Sequence, residues 1–114
     1  MSEPIHATSE NHYLWGGVCD GWRLLRNPEL SVIEERMPPG AEEQRHFHNR
    51  SRQFFFVLEG ELTMEAEGIA HLLPVHHGLE IAPGERHQAK NLSAADVRFL
   101  VISQPQIQND RELA

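Results

Sequence analysis

The stretch that decides the fold is "RHFHNRSRQFFFVLEG", residues 45–60. It sets His46 and His48 one residue apart, follows them with the polar turn "NRSR", and places Gln53 at the head of an apolar run that Gly60 closes. Side chains at i and i+2 share one face of a β-strand but diverge on a helix, so a strand projects both imidazoles together and turns Phe47 the other way. Beyond the turn, the same period of two puts Gln53, Phe55 and Val57 on one face and Arg52, Phe54, Phe56 and Leu58 on the other. A strand that is apolar on both faces must be covered on both.

Working outward, a 3.6-residue apolar period is hard to find, whereas short apolar runs broken by glycine and proline recur throughout. The pattern predicts an all-β chain with strands over 22–26, 31–37, 46–48, 53–60, 61–67, 69–73, 78–82, 87–91 and 97–103. Turn signals separate them at Asn27-Pro28, Pro38-Pro39-Gly40, Glu67-Gly68, His77-Gly78 and Pro83-Gly84. A strand and turn about every ten residues suits a sandwich or a barrel. On the strand after Pro83-Gly84, His87, Ala89 and Asn91 share a face. If the sheet closes into a small barrel, the inward faces of the strands carrying His46, His48, Gln53 and His87 can converge on one metal ion.

A chain of 114 residues fits one domain, in which folding buries roughly two thirds of the surface exposed by the unfolded chain. The expected organisation is an N-terminal segment over 1–21, partly ordered and packing on the barrel or on a dimer partner, a barrel over 22–103, and a loosely held C-terminal tail over 104–114. A net charge of -7 argues against a nucleic-acid partner, which would need a basic footprint. The single cysteine, Cys19, rules out an internal disulfide framework and suits a reducing compartment. With neither a signal-peptide pattern nor an apolar run near the roughly 20 residues of a membrane span, the expectation is a cytoplasmic protein without a membrane partner.

Residues 40–60 read G-x5-H-x-H-x4-Q-x6-G, which closely resembles the first motif of the cupin superfamily, with Gln53 where that motif has glutamate. Residues 76–91 resemble the second cupin motif, with Gly84, His87 and Asn91 in register, His76 in place of its first glycine and Ala82 in place of its proline. The likeness covers about residues 22–103 and is to the small, single-domain bacterial type. It implies a double-stranded β-helix, a jelly-roll-like barrel, that forms a homodimer. It also implies one divalent transition metal ion held by His46, His48, Gln53 and His87, and imidazole ligation alone does not choose among zinc, iron, nickel, manganese and copper.

Glutamine in place of glutamate leaves a divalent site near +2 rather than +1, so it should bind metal less tightly and be the stronger Lewis acid. Phe55 and Val57, on the face of Gln53, are expected to line an apolar pocket for a small organic molecule. The functional expectation is a metalloenzyme working by Lewis-acid catalysis or oxygen activation, of isomerase, cyclase, lyase or dioxygenase type; the alternative is a non-catalytic ligand-binding or sensor barrel. No side chain stands out as a general base, so no catalytic residue is assigned. Arg45, Arg52 and Arg86 precede ligand positions and are expected to point away from the metal. His71, His76 and His77 read as solvated, Arg50 is placed to reach a pocket mouth, and His6 and His12 have no visible partner.

Overall fold

The computed structural model describes residues 2–106 and 110–114. Among these the chain forms eleven strands and no helix. They are β1 (His12–Trp15), β2 (Cys19–Asn27), β3 (Leu30–Met37), β4 (His46–His48), β5 (Arg52–Glu59), β6 (Leu62–Ala66), β7 (Ile69–Leu73), β8 (Gly78–Ile81), β9 (His87–Lys90), β10 (Val97–Gln104) and β11 (Arg111–Leu113). All pairings are antiparallel. One sheet runs β1-β2-β3-β10-β5-β8 and the other β11-β4-β9-β6-β7. The double-stranded β-helix expected from the motifs is the observed architecture.

Period-two alternation does most of the work. Along β5 burial alternates strictly from Arg52 to Leu58, with Gln53, Phe55 and Val57 inside. β10 alternates in the same way, with Val97, Phe99, Val101 and Ser103 inside, and its register sets Ser103 opposite Gln53. The inward side chains therefore change character along the strands, from Gln53 and Ser103 at one end to Val57, Phe99 and Val97 at the other. The apolar end packs with Met37, Leu62, Met64, Ala66, Leu73, Ile81 and Ala89 into one core. The polar end stays open as a cavity.

The two turns that deliver the motifs are built differently. Gly60 adopts φ +79°, and a Cβ there would lie 2.3 Å from the Asp96 carbonyl oxygen, so the chain can double back into β6 only with glycine. Gly84, at φ +80°, ends the turn before β9 and donates its N–H to the His48 carbonyl at 2.7 Å, tying the second motif to the first. At the neighbouring positions where the family motif has glycine and proline, His76 takes φ +66° and Ala82 accepts the Glu85 N–H, so the loop closes with the residues present.

Both ends of the sheets extend further than the sequence reading placed them. Residues 12–15 form β1 and pair with β2, which itself begins at Cys19, and His12 meets the Asp20 carboxylate at 2.7 Å while Trp15 donates to the Asp20 carbonyl. At the other end β11 pairs with β4, and the buried Asp110 accepts backbone N–H groups from Asn49, Arg50 and Ser51. β1 is held as a hairpin against β2, and β11, polar and only three residues long, is ordered by partners about 60 residues away, a signal that local alternation does not carry. Residues 107–109 of the expected tail lie outside the described residues.

Candidate metal centre

β4 and β9 are adjacent and His46 pairs directly with His87, so the two motifs meet across one ladder. The rings of His46, His48 and His87 lie with centroids 4.4–6.0 Å apart. Each offers a nitrogen such that the three nitrogens fall within 4.8 Å of one another. His46 Nδ1 lies 2.7 Å from the Gln44 carbonyl and His87 Nδ1 lies 2.9 Å from the Glu85 carbonyl. A carbonyl can only accept, so both Nδ1 atoms carry the proton and both Nε2 lone pairs are free for a cation. Gln53 donates through Nε2 to Ser103 Oγ at 3.2 Å, which leaves its carbonyl oxygen as the free end of the amide.

His87 Nε2, both ring nitrogens of His48 and Gln53 Oε1 are buried without a hydrogen-bond partner among the described residues. Leaving so many polar atoms unpaired costs about 1–3 kcal/mol each, and a bound cation would relieve that cost at every acceptor together. Three imidazoles, with the Gln53 amide lining the same cavity, would suit a borderline transition metal. Burial lowers the pKa of His46 to about 3 and of His48 to about 4, and lowers that of His87 as well. All three rings are therefore held neutral, the form that coordinates.

The site opens on a cavity of about 610 Å³, in the range of small-ligand pockets. Phe55, Ile33, Val101, Tyr13 and Trp15 supply much of its wall, alongside His46, His48 and Gln53. Phe55 is among the residues that line the cavity. Val57 sits one step deeper along β5, fully buried in the core, because the cavity ends above it. Arg45 and Arg52 turn outward and pair with Glu65 and Glu80, and Arg86 lies over the Phe47 ring. Arg50 is not among the lining residues; the one cation among the described residues that line the cavity is Arg111, from β11.

Three acids line the same space: Glu35, Glu42 and Glu43. Burial, reinforced by Glu43, pushes the Glu35 carboxyl up to about 8, against the opposing pull of Tyr13 and Arg111. Burial likewise pushes Glu43 up to about 7, although its carboxylate accepts the Ala89 N–H at 3.1 Å. Sequence reasoning passed over Glu35. Its signal was parity: in "SVIEERM" the inward set is Ser31, Ile33, Glu35 and Met37, so one acid of the Glu34-Glu35 pair had to face the interior. Glu34 takes the outer face and pairs with Arg98.

A two-sheet antiparallel β-helix with three converging histidines defines the chain as a barrel with a candidate metal pocket. Residues 33–103 match the model of the Cupin domain family, and the chain belongs to that family. Among curated proteins it is 31% identical over 64 residues to the polyketide synthase CurC of Streptomyces cyaneus, a match spanning 56% of this chain and 42% of that protein. The chain thus covers less than half the length of that relative. Among solved structures, the polyketide cyclase RemF from Streptomyces resistomycificus superposes with TM-score 0.86 at 18% identity, over 100% of this chain and 86% of that one. A Klebsiella pneumoniae protein with a double-stranded β-helix domain gives TM-score 0.82 at 22% identity, over 99% and 98% of the two chains. At these identities the structural likeness speaks to the fold.

Proposed function

We propose that the chain is a mononuclear metal-dependent enzyme acting on a small organic molecule that carries a carbonyl group. His46, His48 and His87 through imidazole nitrogen, and Gln53 through Oε1, are the residues that would hold one divalent transition metal ion. The observation that carries this reading is the cluster of three buried histidine rings beside an apolar cavity, with His87 Nε2, the His48 nitrogens and Gln53 Oε1 unpartnered among the described residues. When bound, the ion would supply Lewis acidity, drawing electron density from a substrate oxygen. The aromatic and aliphatic wall would exclude water and hold an apolar skeleton, while Arg111 offers a positive side chain for an anionic substituent. The names of two similar proteins, a polyketide cyclase and a polyketide synthase, support a substrate rich in carbonyl groups and a cyclising or isomerising reaction.

The same reading includes a homodimer, supported by Phe54, Leu58 and Leu25, which remain exposed on the outer face of the six-stranded sheet.

Elemental analysis of the untagged protein after exposure to zinc tests the site. We expect one ion per chain, loss of most of it in His48→Ala, and tighter retention in Gln53→Glu, where a carboxylate replaces a neutral amide. A wild-type protein that takes up no zinc, nickel, iron, manganese or copper would return the barrel to the non-catalytic, ligand-binding reading.

A further inference from the structure

Tyr13, Gly21, Glu35 and Phe99 form one lateral row across β1, β2, β3 and β10. The row is shaped around a missing side chain. A Cβ on Gly21 would lie 2.3 Å from the Tyr13 ring and 2.6 Å from its hydroxyl oxygen, so the phenol occupies the space that any other residue would fill. Arg23, two residues along the same face of β2, closes over the ring at 4.2 Å. Held between glycine and guanidinium, the Tyr13 ring lies over the gap at Gly21, and Glu35 is the next residue of the row on the other side of that glycine. Tyr13 and Glu35 both line the cavity that His46, His48 and Gln53 line.

We propose that Glu35 is the group that carries a proton to and from the substrate, that Tyr13 is its positioning residue, and that the substrate class is a carbonyl compound with an ionisable C–H bond beside the carbonyl. This rests on the metal-dependent reading above. In the step, the Glu35 carboxylate takes the proton from that carbon and becomes a neutral carboxylic acid. The C–H electron pair becomes the C=C bond of the enolate, and the C=O π pair moves to oxygen. In a 2-hydroxy carbonyl compound the remaining hydroxyl proton passes to the enolate oxygen and Glu35 returns its proton to the former carbonyl carbon, which completes an isomerisation. In a compound with a second carbonyl the enolate carbon bonds to that carbonyl carbon, its C=O π pair moves to oxygen, and Glu35 protonates the resulting alkoxide, which completes an aldol cyclisation. No oxidant, reductant or second substrate is required.

The surroundings suit the task. A carboxyl pushed up to about 8 populates both protonation states near neutral pH, which general acid–base catalysis requires. The groups that face Glu35 are Tyr13 from β1, Cys19 from β2, and Glu43 and Arg111 from across the cavity; from β10 it meets the uncharged Phe99. Tyr13 and Cys19 are held neutral by burial, so the charge balance at Glu35 is set by Glu43 and Arg111.

The test is deuterium uptake into hydroxyacetone, followed by NMR in D2O with zinc-loaded protein. Wild type should accelerate exchange beside the carbonyl, Glu35→Gln should lower the rate about 100-fold or more with zinc content unchanged, and Glu35→Asp should recover part of it. Tyr13→Phe should keep zinc and shift the midpoint of the pH profile upward, because the nearby phenol holds the Glu35 pKa down. Zinc-loaded wild type that leaves hydroxyacetone unexchanged, or a zinc-loaded Glu35→Gln variant that exchanges at the wild-type rate, overturns the assignment. The metal-free protein gives an independent reading: a 13C-labelled glutamate carboxyl that titrates well above the ordinary range and disappears in Glu35→Gln supports it, and its absence from wild type overturns it. Failure to bind zinc defeats the metal reading alone, since that carboxyl titration needs no metal.

Discussion

Gln53 shows how one side chain is tuned by its neighbours. An amide can present either end to a cavity, and the choice belongs to Ser103, which takes the Nε2 end as a hydrogen-bond partner and leaves the oxygen free. Ser103 is opposite Gln53 in the β5–β10 ladder and fully buried, so the hydroxyl cannot swing away to water. Ser103→Ala should therefore leave the fold intact and weaken zinc about tenfold, the size of effect expected when the partner that orients a ligand is removed. A competition titration with a chromophoric chelator measures it; unchanged zinc affinity in Ser103→Ala would show that Ser103 does not orient the amide. Glu35 makes the complementary case. Its parity was readable in the sequence, but its neighbours were not, since Tyr13 and Glu43 reach it only through sheet pairing and barrel closure.

Among the elements, β11 has the largest effect for its length. Three residues, all exposed, would not hold as an isolated strand, yet they lie beside His46 and His48 and bring Arg111 into the cavity wall. The anchor is Asp110. Burial by itself would raise its carboxyl pKa, but N–H groups of Ser51, Arg50 and Asn49 together outweigh that and hold it below the usual value. The same carboxylate thus fixes the turn between β4 and β5, which separates His48 from Gln53. Asp110→Ala should cost about 2 kcal/mol of stability, since it strands the buried Ser51 N–H and removes the charged acceptor of the Asn49 and Arg50 N–H groups. Urea unfolding of the metal-free protein checks this, and a loss below about 0.5 kcal/mol would show that water replaces the carboxylate freely. β1 and β11 were invisible to local pattern because neither has an apolar alternation of its own. β4, β5, β9 and β10 were legible because theirs is uninterrupted.

For the whole molecule, the polar end of the barrel opposes folding in the absence of metal, and pH acts on it from two sides. His46 and His48 have folded pKa values of about 3 and about 4 against 6.5 for the free side chain, so the unfolded chain binds protons first and stability falls as pH drops below 6.5. Glu35 and Glu43 have raised values, about 8 and about 7 against 4.5, so their contribution is full below 4.5 and is lost as pH rises toward 7 and 8. The metal-free protein should therefore be most stable between about pH 4.5 and 6.5, where the two opposing trends overlap. Glu35→Gln should raise stability at pH 8.5 while leaving it nearly unchanged at pH 4.5. Thermal melts of both proteins across that range decide it; a Glu35→Gln protein with the wild-type pH profile would refute the buried-acid account. The homodimer proposal belongs at this scale too: sedimentation at micromolar concentration should give twice the chain mass, and Phe54→Glu should halve it by charging the uncovered sheet face.

The sequence by itself determined that the chain is a β-barrel of the cupin family and which face of each central strand carries the histidines, Gln53 and the apolar core. The physical reason is that a strand's two-residue period is local: a side chain's face follows from counting along the chain, and glycine at a forced positive φ marks where the count restarts. Only the tertiary structure decided what those faces enclose. The cluster of His46, His48 and His87 needs β4 and β9 to pair, bringing Gln53 to the same cavity needs the two sheets to close, the ordering of Ser103 and Asp110 depends on hydrogen bonds to partners remote in sequence, and the altered acidity of Glu35 arises from desolvation. Desolvation is a property of the volume around a group, and no spacing along the chain records it.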